Sequence, residues 1–241
     1  ARVSVAGVDT QPQRRHRWGL GAFVLVELVY LATAIGFAVF LIGTSLDPVP
    51  TAVAATLVPS LLAATVAVTV TVVRGNGPRA DLALQWSWRA AGLGLLFGGL
   101  GLLVTIPAAS LWVWVVGEGA NSAAGEVFGD MQSTWAWALV VFAAVVVVAP
   151  VCEEIVYRGL LWGAVDQRWG RWTAFAVTTV VFAVAHLELT RVPLLLVVAI
   201  PIGLARLYTA NLCASIVAHQ VTNLLPGLAL MFSVAGSIPA A

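Results

Sequence analysis

The groups in this chain that could do chemistry sit in three short stretches of otherwise apolar sequence. Pro150 to Arg158 reads Pro-Val-Cys-Glu-Glu-Ile-Val-Tyr-Arg, with adjacent carboxylates at Glu153 and Glu154 and a guanidinium at Arg158. Phe182 and His186 form the second stretch, and His219 and Asn223 the third. Hydrolysis of an amide needs an activated water, a donor to the oxygen that gains charge, and a proton for the leaving amine. A carboxylate, two imidazoles and a carboxamide can supply all three. Glu153 in a low-dielectric site beside a second carboxylate suits a general base, and His186 can hold the same water or pass its proton on. His219 and Asn223 can both donate to the developing oxyanion. An ionisable group near the centre of a bilayer costs roughly 2.5 to 3.5 kcal/mol, so Glu153, Glu154 and Arg158 together cost about 7 to 10 kcal/mol before any partner is found.

Spacing gives these groups direction. Glu154 and Arg158 are four residues apart and pair along one helix face, while Glu153, about 100° round the helix, points elsewhere. His219 lies one turn from Asn223, and Phe182 stacks one turn from His186. Taken singly, an intramembrane histidine is usually a helix-to-helix hydrogen bond and Glu154–Arg158 a structural ion pair. Six such groups from three helices are more than a bundle needs as polar glue.

The elements that must position them are membrane spans. Of 241 residues, 61% are hydrophobic and 10% charged, with a mean hydropathy of +0.98, whereas a soluble domain has about 25% charged residues. The reading is all-α: a polytopic transmembrane bundle of about seven spans. Residues 1–17 form a basic segment containing Arg14, Arg15 and Arg17, retained ahead of an anchor helix, since the apolar run that follows is too long for a signal peptide. Residues 18–134 hold the first three spans, Trp18 to Leu46, Thr51 to Val73 and Arg89 to Val116. Residues 135–241 hold four more: Trp135 to Val165, Trp172 to Leu187, Val192 to Tyr208 and Leu212 to Val234. Gly94, Gly98 and Gly101 give the third span small faces for close packing. Pro150 should kink the fourth just before its carboxylates.

Arginines before span one, between spans two and three (Arg74, Arg79, Arg89), between four and five (Arg168, Arg171) and at Arg206 alternate with an acidic loop bearing Glu118, Glu126 and Asp130. That alternation puts the N-terminus in the cytoplasm. At about 1.5 Å per residue, Glu153, His186, His219 and Asn223 fall at depths of about 18, 21, 14 and 20 Å from the inner boundary. They share one level. A net charge of +1 without an arginine-rich stripe excludes a nucleic-acid partner. Cys152 and Cys213, in apolar segments without metal-ligand spacing, read as buried thiols.

Glu153-Glu154-x-x-x-Arg158, Phe182-x-x-x-His186 and His219-x-x-x-Asn223 resemble, in order, the three motifs of the CAAX prenyl protease and bacteriocin-processing (CPBP, or Abi) family of intramembrane endopeptidases. The likeness covers about Trp135 to Leu230 and leaves spans one to three untested. It implies that residues 135–241 are a catalytic core of four helices hydrolysing peptide bonds of membrane-associated or peptide substrates. Glu153, His186, His219 and Asn223 would be catalytic, with Glu154, Arg158 and Phe182 in support.

Two rival readings use the same residues. Two histidines and a glutamate are a common catalytic zinc set, but the chain lacks a short His-x-x-x-His signature and Asn223 is a poor zinc ligand, so the metal-free version is preferred over Zn2+. A transporter or channel also keeps carboxylates and histidines at the midplane. Glu27, alone in span one, would belong to such a pathway, though it reads better as a neutral, bundle-facing carboxyl. Neither an internal repeat nor paired broken helices favours transport. The lysine-free, Ala/Val/Gly/Arg-rich composition points to a GC-rich bacterial source, hence a multi-pass protein of the bacterial plasma (inner) membrane without a prenylated substrate.

Overall fold

The computed structural model describes residues 16–117 and 122–237. Residues 1–15, with Arg14 and Arg15, and Glu118 lie outside the described residues. The described chain is helical, and six of its helices are long and apolar enough to cross a membrane. These are α1 (Leu20–Leu41), α2 (Pro48–Arg74), α3 (Trp88–Val116), α4 (Trp135–Trp169), and, after the shorter α5 (Arg171–Ala185), α6 (Val192–Thr209) and α7 (Leu212–Val234). With the shorter α5, the described residues hold seven long apolar helices, close to the seven spans expected, six of them long enough to cross. The chain is a multi-pass membrane protein.

Helix starts follow local chemistry. Asp47 accepts from the Val49 amide ahead of α2, whose first residue is Pro48. Ser87 caps α3 through the Ala90 amide, Thr134 caps α4 through Trp137, and Asn211 caps α7 through Cys213. Apart from Glu27, α1 is apolar round most of its circumference and buries only Val26, so most of its surface faces lipid. The small face of α3 packs as expected. A Cβ added at Gly94 would lie 2.6 Å from the Ala214 carbonyl oxygen, one at Gly98 2.8 Å from Val221 Cβ, and one at Gly101 2.8 Å from Pro201 Cβ. α7 and α6 therefore approach α3 too closely for any side chain at these positions.

Around Pro150, α4 shows changes of register that the sequence does not announce. It runs on through Pro150 but changes register twice: Trp135–Ala143 is α-helical, Ala144–Val148 π-helical, Ala149–Glu154 α-helical, Ile155–Leu161 π-helical and Trp162–Trp169 α-helical. The first change has a local cause. The Ala149 amide reaches back five residues to the Ala144 carbonyl, and in that register the Val145 carbonyl would take the amide of residue 150. Proline has no N–H. The wider turn accommodates the ring, and one carbonyl is left to find a partner elsewhere.

α5 is the short member. Its 15 residues rise about 22 Å, against about 30 Å of hydrocarbon. It stops at Ala185, and His186 to Glu188 leave the helix, with Leu187 at φ +56°. Irregular backbone at membrane depth is tolerated where it lines a cavity or is buried in protein, and these three residues line one.

Candidate active site

The two carboxylates of the short α-helical stretch have separate surroundings. Glu154 is wholly buried: Arg158 Nη1 donates to its Oε1 at 3.0 Å, and His219 Nδ1 lies 3.1 Å from the same oxygen. The Arg158 guanidinium, equally buried, also sits 4.2 Å from the centre of the Phe182 ring. That ring carries much of the site, with His186 at 4.5 Å, Tyr157 at 5.4 Å and His219 at 5.5 Å between centroids. Glu154, Arg158, Phe182 and His219 form one packed cluster.

Glu153 points the other way. Its side chain is 27% exposed and lines a cavity of about 350 Å³ with Cys152, Val156 and Tyr157 of α4, Glu27 and Tyr30 of α1, Ser60 of α2, and the His186 to Glu188 loop. His219 Nε2 lies 3.7 Å from Glu153 Oε2, so one imidazole spans both carboxylates. His186 Nδ1 is 2.7 Å from the Phe182 carbonyl oxygen. A carbonyl can only accept, so Nδ1 carries the hydrogen and Nε2 of the neutral ring is an acceptor. The loop is tied down by Glu188, which pairs with Arg191 and accepts from the Ala123 amide.

Asn223 is placed differently from the other three. Its Nδ2 donates to the Val145 carbonyl at 3.1 Å, the acceptor that Pro150 leaves without an amide. Neither Asn223 nor His219 lines the cavity. A parallel contact supports the second π-helical stretch: Arg206 Nε donates to the Arg158 carbonyl at 3.1 Å, with its guanidinium 5.2 Å from the Trp162 ring. Arg206 is buried, whereas the sequence reads it, at the end of its span, with the inner loop charges. The turn carrying Glu153 and Glu154 is thus suspended between two changes of register, each held by a side chain from another helix. Cys152 and Cys213 are free, buried thiols, as expected.

The sequence motifs do not name Tyr157, Tyr30 or Arg206, and they leave Glu27 isolated. The signal for Tyr157 is its place four residues after Glu153. Among the described residues, no group of three or more His, Cys, Asp and Glu side chains is arranged to hold a metal ion.

Residues 135–225 match the family model described as Type II CAAX prenyl endopeptidase Rce1-like. This match supports the likeness to the CAAX protease family for this part of the chain. The matched residues contain α4, α5, α6 and the first half of α7, and so every motif residue described above. The chain is also 27% identical over 150 residues to the Bacillus subtilis (strain 168) protein named "Putative membrane peptidase YdiL". That likeness takes in 61% of this chain and spans 57% of the relative's length. No solved structure matches the chain.

Proposed function

We propose that this protein is an intramembrane endopeptidase in which Glu153 activates the attacking water. The observation that carries the reading is that Glu153 of α4 and His186 at the end of α5 face one cavity from different helices, within the segment that matches the CAAX protease family. Water held between the Glu153 carboxylate and His186 Nε2 loses a proton to Glu153 as its oxygen attacks the scissile carbonyl carbon. The tetrahedral intermediate collapses by breaking the C–N bond, and the proton on Glu153 passes to the leaving amine. One water is consumed, and an acid and an amine are released.

The remaining motif residues hold this arrangement. Arg158 neutralises Glu154, and His219 is fixed by Glu154 so that its second nitrogen faces Glu153. Asn223 anchors the proline-broken register through Val145. Each histidine already has Nδ1 on a protein acceptor, and no step here is routed through a metal.

Purified protein in liposomes, offered a library of membrane-anchored peptides in 18O-water, should yield fragments with one 18O at the new carboxylate. Chelation should leave turnover unchanged and metal analysis should find no stoichiometric zinc; loss of turnover restored by zinc would replace the metal-free version. We further place the protein in a bacterial plasma membrane with its N-terminus inside. Reporter fusions after Gly77 and Gly125 should then report opposite sides.

A further inference from the structure

Resting on the endopeptidase reading, we infer that Tyr157 donates the hydrogen bond that stabilises the oxyanion, with Glu27 of α1 positioning its hydroxyl. The inference starts from a deficit on the cavity wall. A tetrahedral intermediate formed beside Glu153 needs a hydrogen-bond donor within reach of its oxygen, and most polar groups nearby are otherwise engaged. Asn223 gives one amide hydrogen to Val145 and His219 gives Nδ1 to Glu154, and neither lines the cavity. His186 spends its hydrogen on the Phe182 carbonyl and offers the cavity an acceptor. Ser60 donates to the Thr56 carbonyl of its own helix. Apart from the weak Cys152 thiol, the wall carries two phenols, Tyr30 and Tyr157, the latter bonded to Glu27.

Fixation separates the two. The Tyr157 ring is buried, edge-on to Phe182 at 5.4 Å and to Phe23 at 6.0 Å. Tyr30 is 37% exposed on the lipid-facing first helix. A donor already held in place costs no reorganisation when charge develops, so the fixed phenol is the better electrostatic catalyst. Tyr157 also sits one turn beyond Glu153 on the same cavity wall, which brings base and donor to one substrate group.

Glu27 explains how the hydroxyl is aimed. Its side chain meets the Tyr157 hydroxyl across the α1–α4 contact. In the resting structure the Tyr157 hydroxyl donates to the Glu27 carboxylate; once protonated, the form an apolar wall favours, Glu27 donates to the phenolic oxygen instead, and the Tyr157 hydrogen is released to the cavity. α1 lies outside the segment matched by the family, so this assignment gives the first helix a part in the chemistry.

The test uses the full chain in liposomes, the best-cleaved peptide of the library, and a phosphonate analogue of that peptide as a mimic of the tetrahedral intermediate. Tyr157→Phe keeps both ring contacts and removes one oxygen. It should lower kcat about 100- to 1000-fold with KM little changed, and weaken the phosphonate by a similar factor. Glu27→Ala should also lower kcat, and Glu27→Gln, which keeps an N–H to donate, should recover part of it.

With Glu153→Gln inactive in parallel, wild-type kcat in Tyr157→Phe would overturn this inference and leave the endopeptidase reading standing. Loss of folded protein in Tyr157→Phe, or transfer of the effect to Tyr30→Phe, would also overturn it. No cleavage by the unsubstituted protein would bring down both.

Discussion

Glu153 and Glu154 are neighbours in sequence and opposites in surroundings. Glu154 has an arginine and a histidine on one oxygen and no exposure, while Glu153 has one imidazole at 3.7 Å and an open side towards a cavity. The same side chain is a structural counter-ion in one position and a candidate base in the next. What separates them is about 100° of helix rotation, made exact in direction by the π-helical stretches on either side. Glu154 has its charge offset by the buried Arg158, and Glu153, which faces the cavity without such a counter-ion, is the one left for chemistry.

The contrast can be broken from either side. On the cavity side, His186→Ala should lower kcat by about 100- to 10,000-fold while leaving the melting temperature little changed, because the ring lies at the helix end and half-exposed. Steady-state kinetics and thermal melts on one preparation would check this. On the buried side, Arg158→Ala strips Glu154 of its counter-ion and should cost about 3 to 5 kcal/mol, read as a lower yield of folded protein. Glu154→Gln in that background should restore part of the yield; no restoration would mean that Arg158 serves a group other than Glu154.

Asn223→Ala sharpens the comparison with a smaller effect. It leaves the Val145 carbonyl without its donor, at about 1 to 3 kcal/mol, and should lower stability together with kcat. A pure loss of kcat with unchanged stability would instead make its amide an oxyanion donor. Smallest of all, Ser60→Ala removes a hydroxyl that bonds within its own helix and should change kcat by less than about threefold, since a donor already spent gives the transition state little.

How much of this was written in the sequence depends on how far each cause reaches along the chain. The spans were legible because hydropathy is local, and the glycine face of α3 because its spacing is local. Glu154–Arg158 was legible because both partners lie on one turn. The two changes of register in α4 were not. Pro150 announces a disturbance, but the π-helical stretch before it leaves a carbonyl that is met by Asn223, 78 residues away from Val145. Arg206 lies at the end of its span as expected, but its burial was not legible for the same reason, since its acceptor lies 48 residues earlier and a position near a helix end imitates a loop charge. The cavity brings Glu27 of α1 to the wall occupied by Glu153 and Tyr157, a meeting that no single-helix pattern contains.

The most direct measurement of the central claim exchanges one atom in each carboxylate and reads two quantities. Glu153→Gln and Glu154→Gln are purified in parallel, and each is assayed for peptide turnover and for thermal stability in the same liposomes. Glu153→Gln should melt at or above the wild-type temperature while losing about two to four orders of magnitude in turnover, and Glu154→Gln should lose stability. Wild-type turnover in Glu153→Gln would contradict the account, remove the protease mechanism, and return the polar cavity to the transport reading.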